Sequence, residues 1–195
     1  MPETPTELPL TFIEGAHDGR VTSVSFSPAG KSLLTAGNED MSLRVWDLTT
    51  TPPHLARELP KAQDKLLWAT LRPDGREVAA VGRGATKLLI YDLDHPDSTP
   101  RSLVGHEQTV FRAIYAPDGR QLASVGGDAT VRLWDLEQTK ELFKIRLPTE
   151  IYVNGGPSLW DFDLRCTEAG VCWIAVPLTM GRLALYRLPY EMPPE

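Results

Sequence analysis

The fold is decided by one stretch, Gly105-His-Glu-Gln-Thr-Val-Phe-Arg-Ala-Ile-Tyr-Ala-Pro-Asp-Gly-Arg-Gln-Leu-Ala-Ser-Val-Gly-Gly-Asp-Ala-Thr-Val-Arg-Leu-Trp-Asp135. A Gly-His pair opens it and a Trp-Asp pair closes it. Between them lie three short apolar runs, cut by Pro-Asp-Gly and by Gly-Gly-Asp. Those cuts are turn chemistry, since Pro presets the first turn position and Gly supplies the positive φ a reversing chain needs. The runs Val110–Tyr115, Gln121–Val125 and Thr130–Trp134 are rich in β-branched and aromatic residues and bounded by turns, so each reads as a strand. Together they predict an antiparallel meander.

This unit resembles a WD40 repeat, one blade of a β-propeller, whose period is about 40–45 residues. In that family a His, a Ser or Thr, an Asp and a Trp form a hydrogen-bonded chain inside a blade. The matching residues here are His106, Ser124, Asp128 and Trp134. A buried indole N–H, hydroxyl and imidazole each need a partner, and one polar chain satisfies them together.

Gly15–Asp47 resembles the same unit. Phe26-Ser27-Pro28-Ala29-Gly30 matches Tyr115–Gly119, Leu33–Gly37 matches Leu122–Gly126, and Val45–Leu48 matches Leu133–Leu136. Its polar chain would be His17, Thr35, Asp40 and Trp46, with Gly-Ala-His in place of Gly-His and an extra residue in the Asn38-Glu39-Asp40 turn. Lys65–Asp92 is a worn third example, with Leu71-Arg72-Pro73-Asp74-Gly75 at its turn and Ile90-Tyr91-Asp92-Leu93 at its end. Ala62 falls in its His position, Ala80 in its hydroxyl position and Gly84 or Ala85 in its Asp position. Removing every member of a polar chain leaves no orphaned donor and can be nearly neutral. Thr49–His54 and Asp94–Thr99 read as loops between blades. After an outer strand at Glu141–Leu147 and an irregular Pro148–Pro157, a divergent fourth unit is expected. Its strands fall at Ser158–Leu164, Cys172–Val176 and Leu183–Leu188, with Ala175 in the hydroxyl position.

The expected fold class is therefore all-β, a WD40-type β-propeller with four blades per chain, each of four antiparallel strands. The repeats span about 15–59, 62–104, 105–147 and 157–188, with residues 8–13 as an added strand and tails at 1–7 and 189–195. A blade cannot bury both faces alone. The resemblance implies that the N-terminal strand over 8–13 completes the last blade and leaves no loose edge. Four blades sit at the low end of the range of about four to eight. A small monomeric ring, an eight-bladed ring of two chains, and a ring completed by another protein all satisfy this count. The two-chain ring is the preferred expectation.

A formal charge of −6 argues against nucleic acid or an anionic membrane as the main partner, because both need a basic footprint. Met1–Leu10 is proline-rich and acidic, with neither a cationic start nor an apolar run, and no apolar stretch approaches the ~20 residues that span a bilayer. A cytoplasmic location is expected. The two cysteines, Cys166 and Cys172, are too few for a zinc site and flank a turn, so a cross-strand disulfide forms if the register allows it, and reduced thiols in a hairpin are the preferred expectation for an intracellular chain.

No catalytic residue, cofactor or metal ligand is assigned. His17 and His106 occupy structural positions, Asp161 and Asp163 lack an acid–base partner, and Gly82–Lys87 lacks phosphate-loop spacing. The resemblance instead implies a partner-binding rim where the inner strands begin. Carried over by position, it comprises Arg20, Thr22, Glu39, Lys65, Leu67, Thr109, Phe111, Ser158 and Trp160. Aromatic and Arg anchors are what binding hot spots use. The implied function is a non-catalytic scaffold or regulatory subunit that binds another protein, of unnamed identity. A sensor propeller acting with a separate signalling or protease subunit is the alternative, and an enzyme using the central channel is the least favoured.

Overall fold

The structure, a computed structural model, describes residues 12–147, 152–153, 156–157, 161–167, 171–178 and 182–188. Every sheet among them is an antiparallel meander in chain order. The first holds β1 (Val21–Phe26), β2 (Ser32–Gly37), β3 (Leu43–Asp47) and β4 (His54–Glu58), and the second β5 (Leu66–Leu71), β6 (Glu77–Gly82), β7 (Lys87–Asp92) and β8 (Arg101–Val104). The third holds β9 (Val110–Tyr115), β10 (Gln121–Gly126), β11 (Thr130–Asp135) and β12 (Lys140–Arg146). A two-stranded hairpin follows, β13 (Tyr152–Val153) and β14 (Gly156–Pro157), where irregular chain was expected. The last sheet has three described strands, β15 (Asp163–Cys166), β16 (Cys172–Pro177) and β17 (Leu183–Arg187).

The turns form for the reason their composition gives. After β1, β5 and β9 the chain reverses through Pro28-Ala29-Gly30, Pro73-Asp74-Gly75 and Pro117-Asp118-Gly119. The three glycines have φ of 68°, 75° and 71°. Each glycine N–H donates to the carbonyl three residues back, at 2.8, 2.9 and 2.8 Å. A Cβ would make that left-handed conformation costly.

Alternation along each strand leaves two apolar faces per sheet, and successive sheets bury them against one another. Leu34, Ala36, Leu43 and Val45 of the first sheet pack on Leu66, Ala69 and Leu71 of the second. Ala79, Val81, Leu88 and Ile90 of the second pack on Val110, Ala113 and Tyr115 of the third. Val125, Val131 and Leu133 of the third pack on Phe162, Leu164, Ile174 and Val176 of the last. The sheets meet along β1, β5 and β9, which line up at the inner edge, whereas all five residues of β4 are exposed. Polar side chains tie the inner strands together. Ser23 Oγ donates to the Ala69 carbonyl (2.9 Å), Trp68 Nε1 donates to the Ala113 carbonyl (3.2 Å), and Arg112 pairs with Asp161.

Several expectations are corrected. Thr49–His54 and Asp94–Thr99 lie between the third and fourth strands of a single sheet, and His54 itself opens β4; the links joining the first three sheets are the segments 59–65 and 105–109. The inner strand of the last sheet starts at Asp163, although 158–160 of the expected Ser158–Leu164 run lie outside the described residues. Its hydroxyl position is Val176, not Ala175. Thr35 and Ser124 each pair across the ladder with the residue two before the closing Trp, and Val176 pairs with Ala184, two before Tyr186. Cys166 and Cys172 are joined as a disulfide rather than held as free thiols, because the β15–β16 register places them directly opposite one another. Of the expected strand over 8–13, residues 8–11 lie outside the described residues, as do the tails at 1–7 and 189–195. Phe12 and Ile13 belong to no strand, and Phe12 is exposed.

Candidate functional site

The third sheet contains a polar chain whose hydrogens can be assigned from chemistry alone. Trp134 Nε1 can only donate, and it donates to Ser124 Oγ at 2.8 Å. The Ser124 hydroxyl hydrogen is then available to His106 Nε2, also at 2.8 Å. That leaves the proton on His106 Nδ1, which donates to the Asp128 carboxylate at 3.0 Å. Asp128 also accepts from the backbone N–H groups of Glu107 (3.0 Å) and Thr130 (3.1 Å) and from Thr130 Oγ1 (2.7 Å). Burial opposes its ionisation, but the hydrogen bonds from His106, Glu107 and Thr130 outweigh that and hold its carboxyl well below the usual carboxylate range.

The first sheet repeats the arrangement. Trp46 Nε1 donates to Thr35 Oγ1 (2.9 Å), Thr35 Oγ1 meets His17 Nε2 (2.6 Å), and His17 Nδ1 meets Asp40 (3.0 Å). Asp40 is lowered too, burial again opposed and outweighed by bonds from the Asp18 N–H, His17 and Ser42. The extra residue of the Asn38-Glu39-Asp40 turn is accommodated with Met41 at φ 55°, matching Ala129 at φ 57° in the third sheet. In the second sheet Ala62, Ala80, Ala85 and Tyr91 occupy the four positions, all but Ala85 buried.

Sequence reasoning missed two members of each chain. Ser42 Oγ lies 3.0 Å from His17 Nδ1, and Thr130 Oγ1 takes the same place beside His106. Beyond them Arg132, buried, pairs with Asp128 at 3.4 Å and with Glu141, while Arg44 approaches Asp40 at 3.9 Å and pairs with Glu58 at 3.1 Å. The signal was present as Asp-x-Ser/Thr-x-Arg in both repeats, Asp40–Arg44 and Asp128–Arg132.

Ser, His and Asp in sequence invite comparison with a hydrolytic triad, but the geometry assigns them another task. Ser124 is fully buried, its hydrogen is committed to His106 and its lone pair to Trp134. The chain is a latch that fastens the turn at Asp128 to strands β10 and β11.

The rim residues gather at the start of the inner strands. Arg20, Glu39 and Lys65 are exposed, and Thr22, Leu67, Thr109 and Phe111 are part-buried. Glu39 accepts from the Arg20 N–H at 2.6 Å, a bond that lowers its carboxyl pKa. Thr22 Oγ1 and Asn38 Nδ2 both donate to the Leu66 carbonyl at 3.1 Å, stitching the first rim segment to the second. Leu67 packs towards the cluster between the second and third sheets and Phe111 towards the next one, so each presents only part of its side chain outward. Ser158 and Trp160 lie outside the described residues. Next to these positions the structure adds a pair that sequence reasoning did not single out. The Arg112 guanidinium sits over the Trp68 ring, 4.7 Å from its centroid. No cluster of three or more His, Cys, Asp or Glu able to hold a metal occurs among the described residues.

Repeated meanders packed face to face and latched by His–Ser/Thr–Trp chains are matched by the family described as WD domain, G-beta repeat, over residues 8–47 and 97–135. Over these two segments the chain carries WD40 repeats. The two matched segments carry the two complete latches, and the worn second repeat falls between them. Among similar WD40-region proteins are a guanine nucleotide-binding protein subunit beta of Schizosaccharomyces pombe, 31% identical over 124 residues, and Protein groucho of Drosophila melanogaster, 28% identical over 139. These alignments cover 64% and 71% of this chain but 39% and 19% of those proteins. A p21-activated protein kinase-interacting protein 1-like of Danio rerio is 37% identical over 79 residues, 40% of this chain and 20% of that protein. The WD40 chain thus spans well under two thirds of the length of these relatives.

Proposed function

We propose that this WD40 chain is a non-catalytic scaffold or regulatory subunit that docks another protein on the rim formed by the starts of β1, β5 and β9. The observation that carries the reading is where the reactive side chains are spent. Both His–Asp sets are consumed in buried latches, while the rim keeps exposed charges at Arg20, Glu39 and Lys65 beside part-buried Leu67, Phe111 and the Trp68–Arg112 pair. Charged groups around an aromatic and arginine centre are the makeup of a protein-binding hot spot. The names of two relatives, a "subunit beta" and a kinase-"interacting protein", support the same class of role. The finer alternative, a sensor propeller serving a separate signalling or protease subunit, would use the same rim. Completion of the array from outside the chain, by a second copy or a partner subunit, belongs to this reading as well.

Affinity capture with the tagged chain tests the rim. Arg20→Glu with Lys65→Glu reverses two exposed charges without touching the core. Arg120→Glu, beside the turn at the far end of β9, is the control. Loss of a stoichiometric partner with the rim variant alone, by about tenfold or more in affinity, supports the assignment. Equal capture by all three chains overturns it.

A further inference from the structure

Positions that are buried in every other sheet are open at both ends of this array. The β-ladder registers align Val24 with Ala69 and Ala113, and Phe26 with Leu71, Tyr115 and Leu164, and Phe162 precedes Leu164 by the same two residues that separate Val24 from Phe26. The six residues of the later sheets are buried against the sheet before them, whereas Val24 and Phe26 are 57% and 64% exposed. The far end mirrors this. Leu183 aligns with Leu43 and Val131, and Leu185 with Val45, Ile90 and Leu133, and Leu88 precedes Ile90 in β7 by the same two residues that separate Leu183 from Leu185. The six residues of the earlier sheets are buried against the sheet that follows, whereas Leu183 and Leu185 are 60% and 59% exposed. Beside Leu183 lies an open hollow of about 460 Å³, lined by Phe162, Ala175 and Pro177 and bordered by the charged Arg112, Asp161 and Asp163.

The geometry points to a head-to-tail pairing of two copies, in which the first-sheet face of each chain packs on the last-sheet face of the other. The occupant follows from the chain's own construction. Within one copy the junction between the rear face of one sheet and the front face of the next is made three times, always from apolar residues at these registers. Each exposed end face is one half of that junction, and the opposite end of an identical chain presents the other half. Because the two faces differ, the contact is heterologous. Such contacts either close or propagate, and with two copies related by a two-fold axis both pairs of end faces are covered at once. A solvated sheet face would carry polar residues at Val24, Phe26, Leu183 and Leu185, and this one does not. The inference deepens the reading of an array completed from outside the chain and is independent of the rim, so a failure here leaves the capture experiment standing.

Light scattering on the eluting 195-residue chain at micromolar concentration tests it. The expected mass is twice the 21.6 kDa of one chain. Phe26→Asp and Leu185→Asp each place a charge in both junctions of the pair and are expected to give single chains. Circular dichroism checks that each variant keeps its sheets, as substitution at exposed positions should allow. Mixing the two variants then restores one intact junction per pair, and a two-chain species returns. A single-chain mass for the unaltered protein, or a ladder of larger masses, overturns the closed pair. Loss of pairing with only one of the two variants overturns the head-to-tail contact, because it shows like faces meeting.

Discussion

Replacing Ser124 by Ala removes one oxygen and should be felt far beyond its size. The hydroxyl is fully buried and stands between two groups that have no other route to water, the Trp134 indole N–H and the His106 Nε2, each 2.8 Å away. A buried polar group left without a partner costs about 1–3 kcal/mol. His106 keeps Asp128, so its share falls at the low end, and the two penalties together come to about 2–4 kcal/mol. Native domains hold about 5–15 kcal/mol in total, so the loss is large enough to measure. Urea unfolding followed by far-UV circular dichroism is the assay, with the slope of the transition monitored because repeat arrays can unfold in steps. Two comparisons isolate the cause. In a Trp134→Phe background the indole donor is gone, and Ser124→Ala should cost about 1 kcal/mol less. Ala80→Ser places a hydroxyl at the same register of the second sheet, where Ala62 and Tyr91 stand in the His and Trp positions, and should destabilise by about 1–3 kcal/mol. A cost below about 0.5 kcal/mol for Ser124→Ala, or one unchanged by Trp134→Phe, would refute the view that the polar chain is a latch.

Trp134→Ala is expected to destabilise by about 3–5 kcal/mol through its cavity and broken bond, and Tyr91→Ala by less because no latch is broken there; thermal melts of the pair compare them. For Asp128, with its folded pKa depressed, the stabilisation is fully present above the ordinary carboxylate value of about 3.9 and is lost as pH falls from there through the folded value. Asp128→Asn should therefore flatten the fall of the urea midpoint on the acid side, and an unchanged slope would count against the ionised carboxylate. Reduction of the Cys166–Cys172 disulfide, whose cysteines are 6 residues apart, should lower stability by about 2 kcal/mol in the loop-entropy treatment. Melts with and without reductant read this out, with a Cys166→Ser, Cys172→Ser double variant as the insensitive control.

Much of the fold was legible because it rests on local chemistry. Val110–Tyr115 and its counterparts are β-branched and aromatic runs, and the Pro-x-Gly turns fix where they stop. The latch was legible at His106, Ser124, Asp128 and Trp134 because the same residue types recur at His17, Thr35, Asp40 and Trp46. What was missed depends on neighbours distant in sequence. Thr130 and Arg132 acquire their roles only when Asp128 turns back over β11. Trp68 and Arg112 look like ordinary strand residues until the next sheet supplies the Ala113 carbonyl and Asp161. The last sheet was placed off register because no Pro-x-Gly turn marks its hairpins. The state of the two cysteines was a matter of that same register. Nor does composition separate Val24 and Phe26 from Ala69 and Leu71, since all four are apolar. Only the packing shows which pair lies open.

Hydroxyl-radical footprinting of the dilute single chain tests the open end face most directly, because Phe26 and Tyr115 are aromatic residues at one register of two sheets. Phe26 should be oxidised readily while Tyr115 stays protected, with Phe26 becoming protected as concentration rises. Equal protection of the two residues in the dilute chain would mean that the first sheet is already covered, and the open array with its unfilled ends would be wrong.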